Sequence, residues 1–233
     1  MHERAPVSVI IPTLNAAGRL PSTLAPLAAA SIGGLIREVV ISDGGSGDNV
    51  EAVADAAGAV FLRGEKGRGG QLARGADAAR GRWLLFLHAD TILSDGWDDE
   101  VRRFIERGDE QAGVFTLKFD DSGLAPALVA LGAMIRTRLF SAPYGDQGLV
   151  ISRALYDQVG AFADMPIFED VEFVNRLVRL KGRGALAVLK SRAVTSPDRY
   201  RRDGYLRRVL KNARCTYMYR MGVPPEKILA SYE

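Results

Sequence analysis

Residues 83–91, WLLFLHADT, set an apolar run against an abrupt polar stop at His88, Ala89 and Asp90. Five apolar residues in a row suit a strand covered on both faces. A buried strand that ends on a His and an Asp offers them to something beyond its end.

Three similar runs precede it. Val7–Ile11, Val39–Ser42 and Val60–Leu62 alternate with helical patterns: Leu20, Leu24 and Leu27 at helical spacing, then 48–57, then the Ala-rich segment 71–79 after a Gly-rich loop. Strand and helix in alternation with short links predict right-handed crossovers and a parallel sheet over the first 90 or so residues. After His88 the rhythm changes. Helices are expected over 97–106, 125–139, 169–180 and 205–219, and strands over 114–119, 147–152 and 185–189. Asp203 is the expected N-cap of the last helix, with Gly222 closing it and Pro224 beyond.

The chain has 233 residues, 47% hydrophobic and 25% charged, which suits one large folded domain. No repeat or linker interrupts it. A single cysteine, Cys215, rules out an internal disulfide and fits a reducing cytoplasm. The opening MHERAPVSVIIP lacks a secretory pattern, and no apolar run is long enough to cross a bilayer. The net charge of +3 hides an asymmetry: residues 199–220 hold eight Arg or Lys and one acid, Asp203. That basic tail is either a solvated helix face or a contact for something anionic. Arg199, Arg201 and Arg202 are candidates to close over a phosphate. Residues 124–135, with Arg136 and Arg138, are candidates to rest on a membrane beside it. Nucleic acid is not expected, since no zinc spacing or RNA-reading aromatic motif accompanies the charge.

In open α/β sheets ligands sit beyond the carboxyl ends of the strands. Strand one here ends in Pro12, Thr13, Leu14 and Asn15, and strand two in residues 43–48, DGGSGD. With His88 and Asp90 these ends converge on one crevice. Neither GxGxxG after strand one nor GxxxxGK[ST] is present, so dinucleotide and P-loop sites are excluded. Residues 64–70, GEKGRGG, place Lys66 and Arg68 where they either lie over phosphates or form a plain surface loop. Asp90 either meets a divalent ion or caps the following turn with Thr91. In FEDVEF, residues 168–173, Glu169 and Asp170 serve either as a general base or as helix-dipole partners. Asp146 and Gln147, in YGDQG, form either a sugar-binding loop or an Asp-stabilised turn.

SVIIPTLN, SDGGSGD, LHADT and FEDVEF, in this order across about residues 7–180, resemble the inverting glycosyltransferases of family 2. That resemblance implies a single α/β domain of glycosyltransferase A fold. Its Rossmann-like, mostly parallel central sheet would carry a nucleotide-sugar half (about 1–95), a mixed-sheet acceptor half (about 96–198) and a basic amphipathic C-terminal helix and tail (about 199–233). LFLHADT, YGDQG and FEDVEF together resemble a bacterial subgroup associated with arsenosugar biosynthesis. The implied reaction is transfer of a sugar from a nucleotide-diphosphate donor, most commonly UDP-linked in the family, to a hydroxyl acceptor that is often lipid-linked. Pro12, Thr13 and Asn15 would line the base and ribose pocket, with Gly44 and Ala89 beside them, and Asp43 would bond the base. Asp90 matches the last acid of the family's Asp-x-Asp motif and would meet Mn²⁺ or Mg²⁺. His88 replaces the first acid, which puts the ribose contact in question. Asp170 would be the base, with Glu169 second. Two other classes stay open at this point. A sugar-nucleotide-forming nucleotidyltransferase would release pyrophosphate, and a catalytically silent binding module would hold a donor without turnover. A cytoplasmic protein, peripheral to the inner face of the membrane, is the expected setting.

Overall fold

A computed structural model of the chain describes residues 5–232, so the first four residues of the opening segment and Glu233 lie outside it. Strands β1 (Val7–Thr13), β2 (Ile36–Asp43), β3 (Val60–Arg63) and β4 (Trp83–Phe86) alternate with helices α1 (Leu20–Ile32), α2 (Val50–Ala56) and α3 (Arg68–Ala78). There follow β5 (Thr91–Leu93), α4 (Trp97–Glu106), β6 (Ala112–Phe119), α5 (Leu124–Phe140), β7 (Leu149–Ser152) and α6 (Arg153–Val159). The remainder is α7 (Glu169–Lys181), β8 (Leu186–Thr195), α8 (Asp198–Asp203), α9 (Tyr205–Arg220) and α10 (Pro225–Tyr232).

All eight strands form one sheet in the order β3-β2-β1-β4-β7-β6-β8-β5. The first four are parallel, as the alternating pattern predicts, and β7 then runs antiparallel to β4. Side chains alternate between two apolar layers. Val9, Ile11 and Leu85 face Leu20, Trp97 and Phe104 on one side, while Ile10, Leu84 and Phe86 face Leu72, Leu155 and Phe173 on the other. Burial on both faces is why these strands read as unbroken apolar runs.

Pro12 explains where the sheet opens. The Leu87 N–H donates to the Ile10 carbonyl, the last bond between β4 and β1. Two residues on, Pro12 faces that same side and has no N–H to give. The strands therefore part at the position where His88 and Asp90 begin.

Several local expectations needed correcting. The Gly-rich segment is half helical, since α3 begins at Arg68. The strand expected over 147–152 starts at Leu149, after one 3₁₀ turn over Gly145–Gln147. Gly204, not Asp203, precedes α9; the Asp203 carboxylate pairs with Arg202 and Arg208 instead. The short elements β5, α6, α8 and α10 were not foreseen.

Candidate active site

The ends of β1 and β2 are locked into one loop pair. The Asp43 carboxylate is fully buried. It accepts from the Thr13 hydroxyl at 3.0 Å and from the N–H groups of Gly45 and Ser46 at 2.9 and 2.8 Å, as well as from the Ser46 hydroxyl. Burial opposes its ionisation, but the bonds from Ser46, Thr13 and Gly45 outweigh it and hold the carboxyl below its ordinary value. Asn15 adopts a left-handed backbone (φ 52°), and its amide oxygen accepts from the Gly47 N–H at 2.9 Å. Gln71, which the sequence reading passed over, ties the two strand ends together. Its buried amide donates to the carbonyls of Thr13 and Ser42 at 2.8 and 2.9 Å. A Cβ at Gly44 would stand 2.9 Å from the Gln71 amide oxygen, so a side chain there would displace that amide. The structure thus brings Pro12, Thr13, Asn15, Asp43 and Gly44 together, with both Asp43 oxygens already engaged by their own loop.

At the end of β4 the chain turns under α1, where the Thr23 hydroxyl donates to the Ala89 carbonyl at 2.9 Å. The Asp90 carbonyl accepts from the Ser196 N–H, but its carboxylate receives no hydrogen bond among the described residues. The turn-capping alternative for Asp90 is therefore not realised. The His88 imidazole is held neutral, its pKa pushed well below the ordinary value by burial and by the positive charges of Arg68 and Arg199. Arg199, on α8, is thus the part of the basic tail that faces the crevice. Arg201 and Arg202 are turned to Asp121 and Asp203, which corrects the expectation that all three close over a phosphate.

The opposite wall comes from the loop before β7 and the first turn of α7. Phe168 takes a left-handed conformation (φ 68°) that starts α7 at Glu169. Asp170 accepts from the Gly145 N–H through Oδ2 and from its neighbour Val171 through Oδ1. A Cβ on Gly145 would lie 2.6 Å from His88 Nε2 and 3.4 Å from Asp170 Oδ2. Gly145 is therefore the point where the strand-four motif and the α7 carboxylate meet. His88, Tyr144, Gly145, Glu169 and Asp170 line one cavity here. Glu169 is fully buried in its wall, with Arg68 Nη1 at 3.4 Å from Oε1 and no partner for Oε2. Burial pushes its pKa up to about 7; Arg68 opposes the shift and Asp170 adds to it. Lys66 is exposed on the loop ahead of α3.

The two residues of the YGDQG motif separate. Asp146 stays at the site, its pKa pushed up to about 6 by burial, with Arg136 opposing and Asp170 and Asp90 adding to the rise. Gln147 does not reach it. Its side chain is wholly buried, accepts from Thr137 at 2.8 Å and donates to the Phe115 carbonyl at 3.1 Å, so the expected sugar contact is corrected to a core role.

The donor set suits a hard divalent cation held by one protein carboxylate. No three His, Cys, Asp or Glu side chains cluster to bind a metal alone among the described residues. Asp90 and Asp170 both raise the Asp146 pKa while Arg136 and Arg68 lower it, and Asp146 Oδ1 is buried without a partner, so carboxylates and arginines share the crevice. Mg²⁺ and Mn²⁺ commonly take one or two carboxylates and fill the remaining positions with water and substrate phosphate.

These features place a polar, acid-bearing crevice at the strand ends of an α/β sheet, and comparison with known proteins narrows the class. The model of glycosyl transferase family 2 matches residues 8–145, and the chain belongs to that family. A PGL/p-HBAD biosynthesis glycosyltransferase from Mycobacterium tuberculosis is 38% identical over 93 residues, a stretch covering 37% of this chain and 36% of that protein. The chain thus matches about a third of that relative's length. Among solved structures, residues 1–349 of S. aureus TarS superpose with a TM-score of 0.64 at 18% identity, covering 97% of this chain and 70% of that one. Glucosyl-3-phosphoglycerate synthase from Mycobacterium tuberculosis, solved with Mn²⁺, UDP-glucose and phosphoglyceric acid, gives 0.61 at 22% identity over 94% and 80%. These likenesses establish the glycosyltransferase A fold, with its single mixed sheet.

Proposed function

We propose that the protein transfers a sugar, with inversion, from a UDP-sugar to an acceptor hydroxyl, and that Asp170 is the general base. The observation that carries this reading is the shared approach of His88 Nε2 and Asp170 Oδ2 to Gly145. It sets a part-exposed carboxylate against the motif expected to hold the donor diphosphate. As the acceptor oxygen attacks the anomeric carbon, Asp170 takes its proton, the bond from that carbon to the diphosphate oxygen breaks, and the configuration inverts. Two N–H groups, from Gly145 and Val171, fix the carboxylate for this step. Glu169 also borders the cavity, but it is fully buried and paired with Arg68, which sets it second to Asp170 as the base.

Asp90 would hold the divalent ion, which supplies charge neutralisation to a leaving diphosphate. Arg68 and Arg199 add positive charge on the same side of the crevice. Thr13, Asn15 and the Gly44–Ser46 turn form the nucleotide end. Asp43 acts there first through the shape of its loop, and reaches a base only where Ser46 yields one of its bonds. The relative named above and the UDP-bound neighbours support the substrate class.

Asp170→Asn tests the assignment. Loss of a positioned base lowers kcat by about 10²–10⁴-fold while leaving donor binding in place. An Asp170→Asn enzyme within a few-fold of the parent, with Glu169→Gln inactive, would move the base to Glu169.

A further inference from the structure

Two helices that pack side by side turn rows of apolar residues to solvent. On α5, Leu124, Leu128, Leu131, Ile135 and Leu139 recur at three- and four-residue steps along one face and are 82, 64, 55, 47 and 61% exposed. On α9, Leu206, Leu210 and Tyr217 share one face at steps of four and seven and are 74, 61 and 65% exposed, and Met221 just past its end is 67% exposed. Exposed apolar residues scattered singly need no explanation, but two long rows on adjacent helices do. The inward sides of the same helices are complete without them: Ala133 and Met134 of α5 pack on Leu117 and Phe119, and Cys215 of α9 packs on Ile167, Phe168 and Ile228.

The charge beside these rows has one sign. Helix α5 carries two arginines, α9 carries four arginines and Lys211, and neither contains an Asp or Glu. Arg136 and Arg208 are engaged inward, with the Ala142 carbonyl and with Asp203. Arg138, Arg207, Arg214 and Arg220 are exposed and form no ion pair among the described residues.

We propose that α5 and α9 together dock the protein onto an anionic lipid surface, lying in its interface without crossing it. Leucine rows edged by arginine are what an interfacial helix presents to headgroups and acyl chains. No helix among the described residues is long and apolar enough to span a bilayer. Charge selects lipid over a second copy of the chain. A two-fold dimer through these faces would bring arginine rims against each other, whereas anionic headgroups complement them. The surface also adjoins the cavity. Arg136 lies 3.5 Å over the Tyr144 ring, the Tyr144 hydroxyl meets Thr216 of α9 at 3.0 Å, and Tyr144 lines the cavity with Asp170. The docking surface does not depend on the sugar-transfer reading, because its test uses neither donor nor acceptor.

The test is co-sedimentation of the full chain with vesicles of phosphatidylcholine alone or mixed with phosphatidylglycerol. Binding to the anionic vesicles, weakened by salt, is expected. Leu128→Ser with Leu131→Ser, and separately Arg207→Glu with Arg214→Glu, should each lower the partition coefficient about tenfold or more. Circular dichroism and thermal unfolding of the variants should match the parent, which separates lost docking from lost folding. Absence of binding to anionic vesicles would overturn the proposal, as would equal binding by parent and both variants. So would a dimer in sedimentation velocity that the same substitutions dissolve.

Discussion

Glu169 and Asp170 are adjacent in sequence and do opposite things. Glu169 is buried and favours its protonated form, with a pKa near 7 against an ordinary 4.5. The unfolded chain ionises this carboxyl near 4.5 while the folded chain keeps the proton until about 7, so its contribution to stability falls as pH rises between those values. Glu169→Gln should therefore stabilise the fold at about pH 8, by at most about 3 kcal/mol, and change little near the lower value. Urea midpoints at the two pH values measure this; equal shifts at both would contradict it. His88 offers a second test at this scale. A neutral imidazole that reaches the ion adds a nitrogen ligand, which suits Mn²⁺ better than Mg²⁺. The parent enzyme should then prefer Mn²⁺ more strongly than His88→Asn, and the same preference in both would confine His88 to other contacts. Residue chemistry was legible in part. Asp90 and the acidic pair stood out because charged groups at strand and helix ends are conspicuous. Gln71 did not, and Gln147 drew the wrong role, because an amide beside an apolar segment looks the same whether it ties strand ends together, fills the core or meets a sugar.

Apolar periodicity foretold every long helix and all strands but β5. The elements it missed are short, three to eight residues, too brief to establish a period. For α9 it marked the helix but not which face is covered. Its most regular apolar row points to solvent, while Arg208 is 2% exposed and turned inward to Asp203. Periodicity marks a face but does not say what covers it. Contact between elements is also where glycine matters most. The turn before β7 meets both the end of β4 and the start of α7 through Gly145, and a methyl there would press on His88 Nε2 at 2.6 Å. Gly145→Ala should cost about 1–3 kcal/mol of stability through overpacking. It should also lower kcat about 10²-fold by moving His88 and Asp170 apart. Parallel unfolding and kinetic measurements decide: full activity in a stably folded Gly145→Ala would show that this contact does not position the site.

For the molecule as a whole, the measurement to make first is thermal unfolding with UDP, GDP, dTDP or CDP, each with and without Mn²⁺. A ligand at about 100 times its dissociation constant stabilises the fold by about 2.7 kcal/mol. A shift for UDP that requires Mn²⁺ and disappears in Asp90→Ala is the expected outcome. The same shift in Asp90→Ala would remove Asp90 from the metal, and a larger shift with another diphosphate would rename the donor. Sequence alone determined the parallel first half, the family and which residues stand at the strand ends, because apolar period and motif spacing are properties of neighbours along the chain. Tertiary structure alone decided which acid of the pair is buried, what each glutamine is bonded to and which side of α9 meets water. Those outcomes depend on partners far away in sequence: Asp170 meets Gly145 across 25 residues, and Arg68 meets Glu169 across 101. A side chain's role is set by what the fold brings against it, and no local pattern records that.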